Sequence, residues 1–229
     1  MLVNVGKLMS HTSTKGGGGV KHPFNPSLVD AWFMSGLSNS DKPTQIVGVK
    51  KNKLQLKNFV FTSESGFGEG NYEGALVFDG VDDYGICVGL PILDDYTLIC
   101  RREIINKDYY SVASKSTVFG KGAFIFELIQ GRTNHCCSFA ADNQISLHNS
   151  EISWQTKNSY NGSTITVGNA DDTDTLTLGI IRVEDESRRF LKGAIYYFAL
   201  YDKSLTPEEV EEEKVKLENY WEGGKNELA

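Results

Sequence analysis

Trp154, Tyr160 and Asn161 form the densest local set of groups able to hold a sugar. A pyranose has one apolar face and a polar rim, so its recognition needs an aromatic ring beside amide or carboxylate groups. The competing reading puts Trp154 in the core, where a large indole is mostly covered. Other reactive groups are poorer candidates. His135-Cys136-Cys137 offers three soft ligand types, but Cys136 and Cys137 must face opposite sides of a strand, which breaks up a metal site. His148 stands alone. No serine sits in a Gly-x-Ser-x-Gly elbow, so nucleophilic catalysis is not indicated. Asn169-Ala-Asp-Asp-Thr-Asp is an oxygen-rich stretch of the kind that holds calcium, yet it lacks the glycine and distal glutamate of a helix-loop-helix site and reads better as a polar turn. Gly66-x-Gly68-x-Gly70 has no helix pattern after it and no Lys-Ser/Thr, so a phosphate loop is not expected. The chain is therefore read as non-enzymatic, with no catalytic residue, no metal and no cofactor assigned and calcium left open.

The composition describes an ordinary water-exposed protein. Among 229 residues, 40% are hydrophobic and 11% aromatic, enough for one large β domain with a sizeable core. No run approaches the roughly 18 apolar residues of a membrane helix, and no secretory signal is evident, so no membrane partner is expected. Cys87, Cys100, Cys136 and Cys137 lack metal-ligand spacing and read as free thiols made in a reducing cytoplasm. The net charge of −7 is uneven: the first 70 residues hold eight lysines and four acids, and the remainder is strongly acidic. An acidic body argues against nucleic acid as a partner.

The elements that would position these groups are mostly strands. Leu76 and Phe78 against Ala75 and Val77, followed by an Asp/Gly turn and an arm in which Ile86 faces the same core, read as a hairpin over Gly74 to Val88. Its cover is expected downstream, in Phe190 to Asp202. There Ala194, Tyr196, Phe198 and Leu200 alternate with Ile195, Tyr197, Ala199 and Tyr201, a pattern for a central strand covered on both faces. Leu28 to Gly36 reads as an opening strand. Gln45 to Lys50 and Lys53 to Phe61 read as a hairpin about Lys51-Asn52, with Leu54, Leu56 and Val60 on one face. Further period-two segments follow at Tyr96 to Ile105, Tyr109 to Ser114, Ala123 to Ile129, His135 to Ala140, Ile145 to Leu147, Glu151 to Trp154, Thr164 to Val167 and Thr175 to Val183. Many short strands without a long helical pattern before residue 206 favour an all-β sandwich or barrel.

Both ends differ from this body. Thr206 as N-cap, Pro207, Glu209 closing a capping box and a Leu205 to Val210 staple start a helix; Val210, Leu217 and Trp221 are its stripe, Gly223-Gly224 its stop, and its glutamates a solvated face. Residues 1–26 read as a flexible arm. Leu2, Val3, Val5 and Leu8 make an apolar tip for anchoring on a partner, and four consecutive glycines make the tether. The expected organisation is thus an arm at 1–26, a sandwich at 27–205 and a helix at 206–222 of the same domain.

Three stretches carry a family resemblance: Leu28-Val-Asp-Ala-Trp-Phe-Met-Ser-Gly, Ala75-Leu-Val-Phe-Asp-Gly-Val-Asp-Asp-Tyr, and Leu191-Lys-Gly-Ala-Ile-Tyr-Tyr-Phe-Ala-Leu-Tyr-Asp-Lys-Ser-Leu-Thr-Pro-Glu-Glu-Val. Together they resemble the concanavalin A-like jelly roll of the laminin G type. The resemblance implies an all-β two-sheet sandwich with a C-terminal α-helix that binds glycans or proteins; some catalytic relatives share the architecture. The Glu-x-Asp-x-x-Glu pair of sandwich glycosidases is absent, and Glu184-Asp185-Glu186 is contiguous. Trp154 and Asn161-Gly162 are similar to the family's Trp strand and Asn-Gly turn, whereas its calcium site has no counterpart that can be placed. The style of the chain also resembles virion proteins of tailed phages of gut bacteria, which implies a head-fibre, capsid-decoration or tail-associated protein on the virion surface. Its partners would be other virion proteins held through the arm, further copies in a homo-oligomer, and host surface glycans. The alternative is a free-standing carbohydrate-binding domain or a lectin-like protein related to glycoside hydrolases.

Overall fold

The structure, a computed structural model, describes residues 23–105, 109–116, 122–130, 133–139, 141–146, 151–168, 173–183 and 186–225. The first strands are β1 (Leu28–Phe33), β2 (Gln45–Val47), β3 (Lys53–Lys57), β4 (Gly66–Phe67), β5 (Leu76–Asp79), β6 (Tyr84–Cys87), β7 (Thr97–Ile104), β8 (Tyr109–Lys115) and β9 (Phe124–Gln130). Then come β10 (Thr133–Ser138), β11 (Ala141–Ile145), β12 (Ile152–Thr156), β13 (Ser159–Tyr160), β14 (Ser163–Thr164), β15 (Leu176–Leu178), β16 (Ile181–Val183), β17 (Glu186–Arg188) and β18 (Lys192–Tyr201), followed by α1 (Pro207–Lys225). Among the described residues these form two antiparallel sheets. One runs β14-β13-β12-β7-β18-β5-β4 with β1 also on β18; the other runs β11-β10-β9-β8-β15-β6-β3-β2; β16 and β17 make a separate ribbon.

Phe78 and Phe198 are both fully buried and share the core cluster that includes Leu54, Leu98, Phe126 and Leu178, from both sheets. Burial of each such side chain contributes about 1.5–3 kcal/mol. The outer face of the first sheet makes a second cluster, closed by Val210, Leu217 and Trp221 of α1. β18 therefore lies between a sheet and a helix, as its apolar residues on both faces predict.

The alternation of β18 is broken, however. Its pairing with β7 slips between Ile195 and Tyr197, a bulge that places Tyr196 and Tyr197 together in the helix-side cluster while Ile195, Phe198 and Leu200 enter the inter-sheet core. The expectation that Ala194, Tyr196, Phe198 and Leu200 share one face is corrected accordingly.

The expected hairpin at Gly74 to Val88 is corrected as well. β5 is bonded on its two edges to β18 and β4, whereas β6 is bonded to β3 and β15 in the other sheet. With both edges of β5 occupied, β6 has no ladder to join there. The turn instead carries the chain from one sheet to the other, closed by Asp79 Oδ1, which accepts from the backbone N–H of Val81 at 2.7 Å, and by Asp83 Oδ2, which accepts from that of Asp79 at 3.0 Å. On β6 it is Cys87 rather than Ile86 that enters the core.

Smaller differences have local causes. β2 and β3 pair as expected, but Val60 is 66% exposed because Asn58, at φ 68°, ends the period-two run that covers Leu54 and Leu56. The strand expected at Ile145 to Leu147 lies earlier, at β11, and Leu147 is outside the described residues, as are His148 and residues 169–172, 184 and 185. Gly179, at φ 78°, separates β15 from β16 within the single strand expected there; a Cβ on it would stand 2.5 Å from the Phe78 ring.

α1 begins as its capping box predicts: the Glu209 N–H donates to Thr206 Oγ1 at 3.2 Å and the Thr206 N–H to Glu209 Oε2 at 2.9 Å. It runs past Gly223-Gly224 to Lys225, with Gly224 buried against the turn at Gly36. The helix is not uniformly solvated on its acidic side. Glu213 is buried and accepts from Tyr201 Oη at 2.9 Å and from the Asn25 N–H at 3.1 Å. Within the stretch 1–26 expected as an arm, Phe24 is buried against Phe33 and Tyr220. Leu2, Val3, Val5 and Leu8 lie outside the described residues. No helix among the described residues is long and apolar enough to cross a membrane.

Candidate functional site

The hairpins of β12, β13 and β14 place Trp154, Tyr160 and Asn161 within one short stretch but do not assemble them into one exposed platform. Asn161 and Gly162 both have positive φ, 44° and 83°, the geometry of a two-residue turn of mirror-image type joining β13 to β14. Asn161 Oδ1 accepts from the Trp154 N–H at 2.8 Å, so the amide ties the turn to β12. Trp154 is 7% exposed in the helix-side cluster, and Tyr160 is 3% exposed in the inter-sheet core, so the two rings belong to opposite faces of the sheet.

Tyr160 instead serves a buried polar network. Its hydroxyl donates to Glu127 Oε1 at 2.8 Å. Arg102, from β7, meets Glu127, from β9, through Nε and Nη2, both at 2.7 Å, and Nη2 also donates to Ser153 Oγ at 2.8 Å. Burial disfavours charge on Arg102, but the adjoining Glu127 carboxylate outweighs it and holds the guanidinium above its ordinary value. Burial, with the Glu127 charge, likewise pushes the Tyr160 phenol up. Closed off from water, this network joins the sheets.

The thiols are equally enclosed. Burial pushes Cys87 to about 11 and Cys136 and Cys137 to about 12, with nearby carboxylates adding to the effect. Cys136 enters the inter-sheet core and Cys137 the small cluster on the other face, as their strand positions predict. His135 Nδ1 lies 3.0 Å from Asp142 Oδ1, within hydrogen-bond reach, which occupies that ring nitrogen.

The turn after β5 holds a different acidic group. One carboxylate oxygen from each of Asp79, Asp82 and Asp83 lies within 4.8 Å of the others. Burial, opposed in part by the Ser65 hydroxyl, raises Asp83 to about 6.

A surface concavity lies at the β4 edge of the first sheet. It is a groove of about 240 Å³ lined by Gly36, Leu37, Ser38, Asn39, Phe67, Gly68, Glu69, Glu73 and Gly74. Asn39 builds its wall: Nδ2 donates to Phe67 O at 2.8 Å and Oδ1 accepts from the Phe67 N–H at 2.7 Å, so one side-chain amide covers the free edge that β4 would otherwise expose. Trp221 Nε1 donates to Gly74 O at 2.8 Å and holds the other side. Glu69 and Glu73 flank the short 3-10 turn Gly70–Tyr72 and both are exposed. With Ser38 they give the groove carboxylate and hydroxyl groups able to bond the polar rim of a sugar, while its aromatic, Phe67, is buried. Sequence reasoning weighed this glycine-rich stretch only for phosphate; the signal it carried was the pair of glutamates four residues apart.

No protein family matches the sequence, and no curated protein does. Solved structures do match in fold. The botulinum neurotoxin serotype D/C binding domain is similar at TM-score 0.51 and 11% identity over 80% of this chain and 50% of that one. The serotype D ligand binding domain in complex with N-acetylneuraminic acid matches at 0.51 and 12% over 80% and 49%. Trypanosoma rangeli sialidase in complex with sialic acid matches at 0.53 and 13% over 82% and 32%. The chain thus spans half or less of these proteins, and at such identities the likeness establishes the two-sheet β-sandwich fold.

Proposed function

We propose that this chain is a lectin-like, non-catalytic module that binds a neutral glycan in the groove at the β4 edge. The observation that carries the reading is the groove itself, whose lining joins exposed Glu69 and Glu73 and the Ser38 hydroxyl with Gly36, Gly68 and Gly74. Two proteins that share the fold over part of their length, a sialidase and a neurotoxin ligand binding domain, were solved with sialic acid, which makes a glycan the ligand class to test first. Two carboxylates repel an anionic sugar, so a neutral hexose is preferred here. The non-catalytic reading is supported by the openness of both glutamates to water, since a glycosidase acid needs a desolvated carboxyl with a raised pKa.

The test is a glycan array with the full chain, alongside an assay for released reducing ends. Binding to neutral glycans that is lost in Glu69→Gln/Glu73→Gln, with no sugar released, is the expected result. Reducing ends produced by the wild type and not by the double variant would make the groove an active site.

A narrower reading places the module on a phage virion, held through residues 1–26. It is supported by the opening strand and the glycine-tethered apolar tip, both read from sequence. Peptides of this chain in purified particles are its expected signature, and their absence removes it.

A further inference from the structure

The turn that carries the chain from β5 to β6 leaves a buried carboxylate incompletely paired. Asp83 has no exposed surface; its Oδ2 accepts from the Asp79 N–H at 3.0 Å, and its Oδ1 has no hydrogen-bond partner. A buried carboxylate normally draws a lysine or arginine. Among the described residues no ion pair reaches Asp83, Asp79 or Asp82, and the two neighbours add negative charge.

A cation held by the three acids together would satisfy Asp83. One oxygen from each carboxylate already lies within 4.8 Å of the other two. Two oxygens bound to one calcium at about 2.3–2.6 Å stand at most roughly 4.6–5.2 Å apart, so this spacing needs little adjustment. The turn is preorganised without the ion: Asp79 Oδ1 accepts from the N–H groups of Val81 and Asp82 at 2.7 and 3.4 Å, and Asn58 Nδ2 ties the carbonyl of Asp82 at 2.9 Å. Calcium suits it better than magnesium, because an irregular turn offers hard oxygens but not the near-ideal octahedron that magnesium demands.

We propose that Asp79, Asp82 and Asp83 bind a calcium ion, which pins the crossing between the two sheets. The ion meets the unpartnered oxygen of Asp83 inside the turn and leaves an outer side, toward exposed Asp82, for water ligands.

Calcium chloride is titrated calorimetrically into the chelator-treated full chain, and melting is followed with and without the ion. One saturable equivalent and a melting temperature that rises with calcium are expected. Asp82→Asn, whose side chain is exposed and makes no hydrogen bond among the described residues, should weaken calcium binding at least tenfold and leave the ion-free melting temperature unchanged; Asp83→Asn should abolish binding. The absence of saturable binding up to about 10 mM, beyond the roughly millimolar weakest class of protein calcium sites, would overturn the proposal. So would wild-type affinity in Asp82→Asn, which keeps the test decisive if Asp83→Asn fails to fold.

Discussion

Arg102 and Glu127 clasp each other across the two sheets, one from β7 and one from β9, through two hydrogen bonds of 2.7 Å. Glu127 is fully buried and holds a positive φ of 49°, and Tyr160 donates to the same carboxylate. Removing one partner leaves a buried charge unsatisfied, which costs about 3–5 kcal/mol. Arg102→Met should therefore unfold at markedly lower urea than wild type. The double variant Arg102→Met/Glu127→Leu should recover part of that loss, which a double-mutant cycle in urea would measure. Additive losses would show that the pair is not energetically coupled.

Gly179 and Phe78 are in similarly close contact. A Cβ at residue 179 would stand 2.5 Å from the Phe78 ring in a backbone at φ 78°. Gly179→Ala should cost more than the ordinary ~1 kcal/mol of a surface change, through both strain and displacement of the ring. Thermal melting checks this; an unchanged midpoint would mean the ring has room to move.

The thiols should be silent at neutral pH. Cys87 titrates near 11 and Cys136 and Cys137 near 12, so the reactive thiolate forms only as the pH rises through those values. Native protein at pH 8 should react with a thiol reagent much more slowly than unfolded protein. Rapid labelling of the native chain at pH 8 would contradict the burial.

Asp83 gives a pH signature in chelator. Its folded value, near 6, lies above its ordinary 3.8, so the folded state favours the proton. The stabilisation is fully present below about 3.8 and is lost as the pH rises through 6. Asp83→Asn, which carries no such charge, should melt at or above the wild type at pH 7.5, with the difference shrinking toward pH 5. A difference that grows on acidification would reverse the sign.

Much of the architecture was legible because burial repeats at fixed periods. The two-faced apolar run of β18 announced a central strand, and Thr206-Pro-Glu-Glu announced the start of α1. What escaped were events that periodicity does not encode. The bulge at Ile195 to Tyr197 inserts a residue that composition does not mark. The Asp/Gly turn after Phe78 has hairpin chemistry, yet pairing depends on which edges are already occupied, and β5 has none free. Its burial on both faces, against the alternation of β6, was the available sign that the two strands belong to different sheets. Trp154 and Tyr160 have the composition of a sugar platform, but the β12–β13 register sets Tyr160 opposite Gln155 and so on the other face from Trp154. The groove escaped because its walls come from residues 36–39 and 67–74, brought together only when Asn39 caps β4.

The most direct test is where a sugar sits. In an amide chemical-shift titration of the labelled chain with a neutral oligosaccharide chosen from the array, the shifts should concentrate at Gly36, Ser38, Gly68, Glu69 and Gly74. Shifts confined to Trp154, Tyr160 and Asn161, or no saturable shifts with any glycan, would contradict the account.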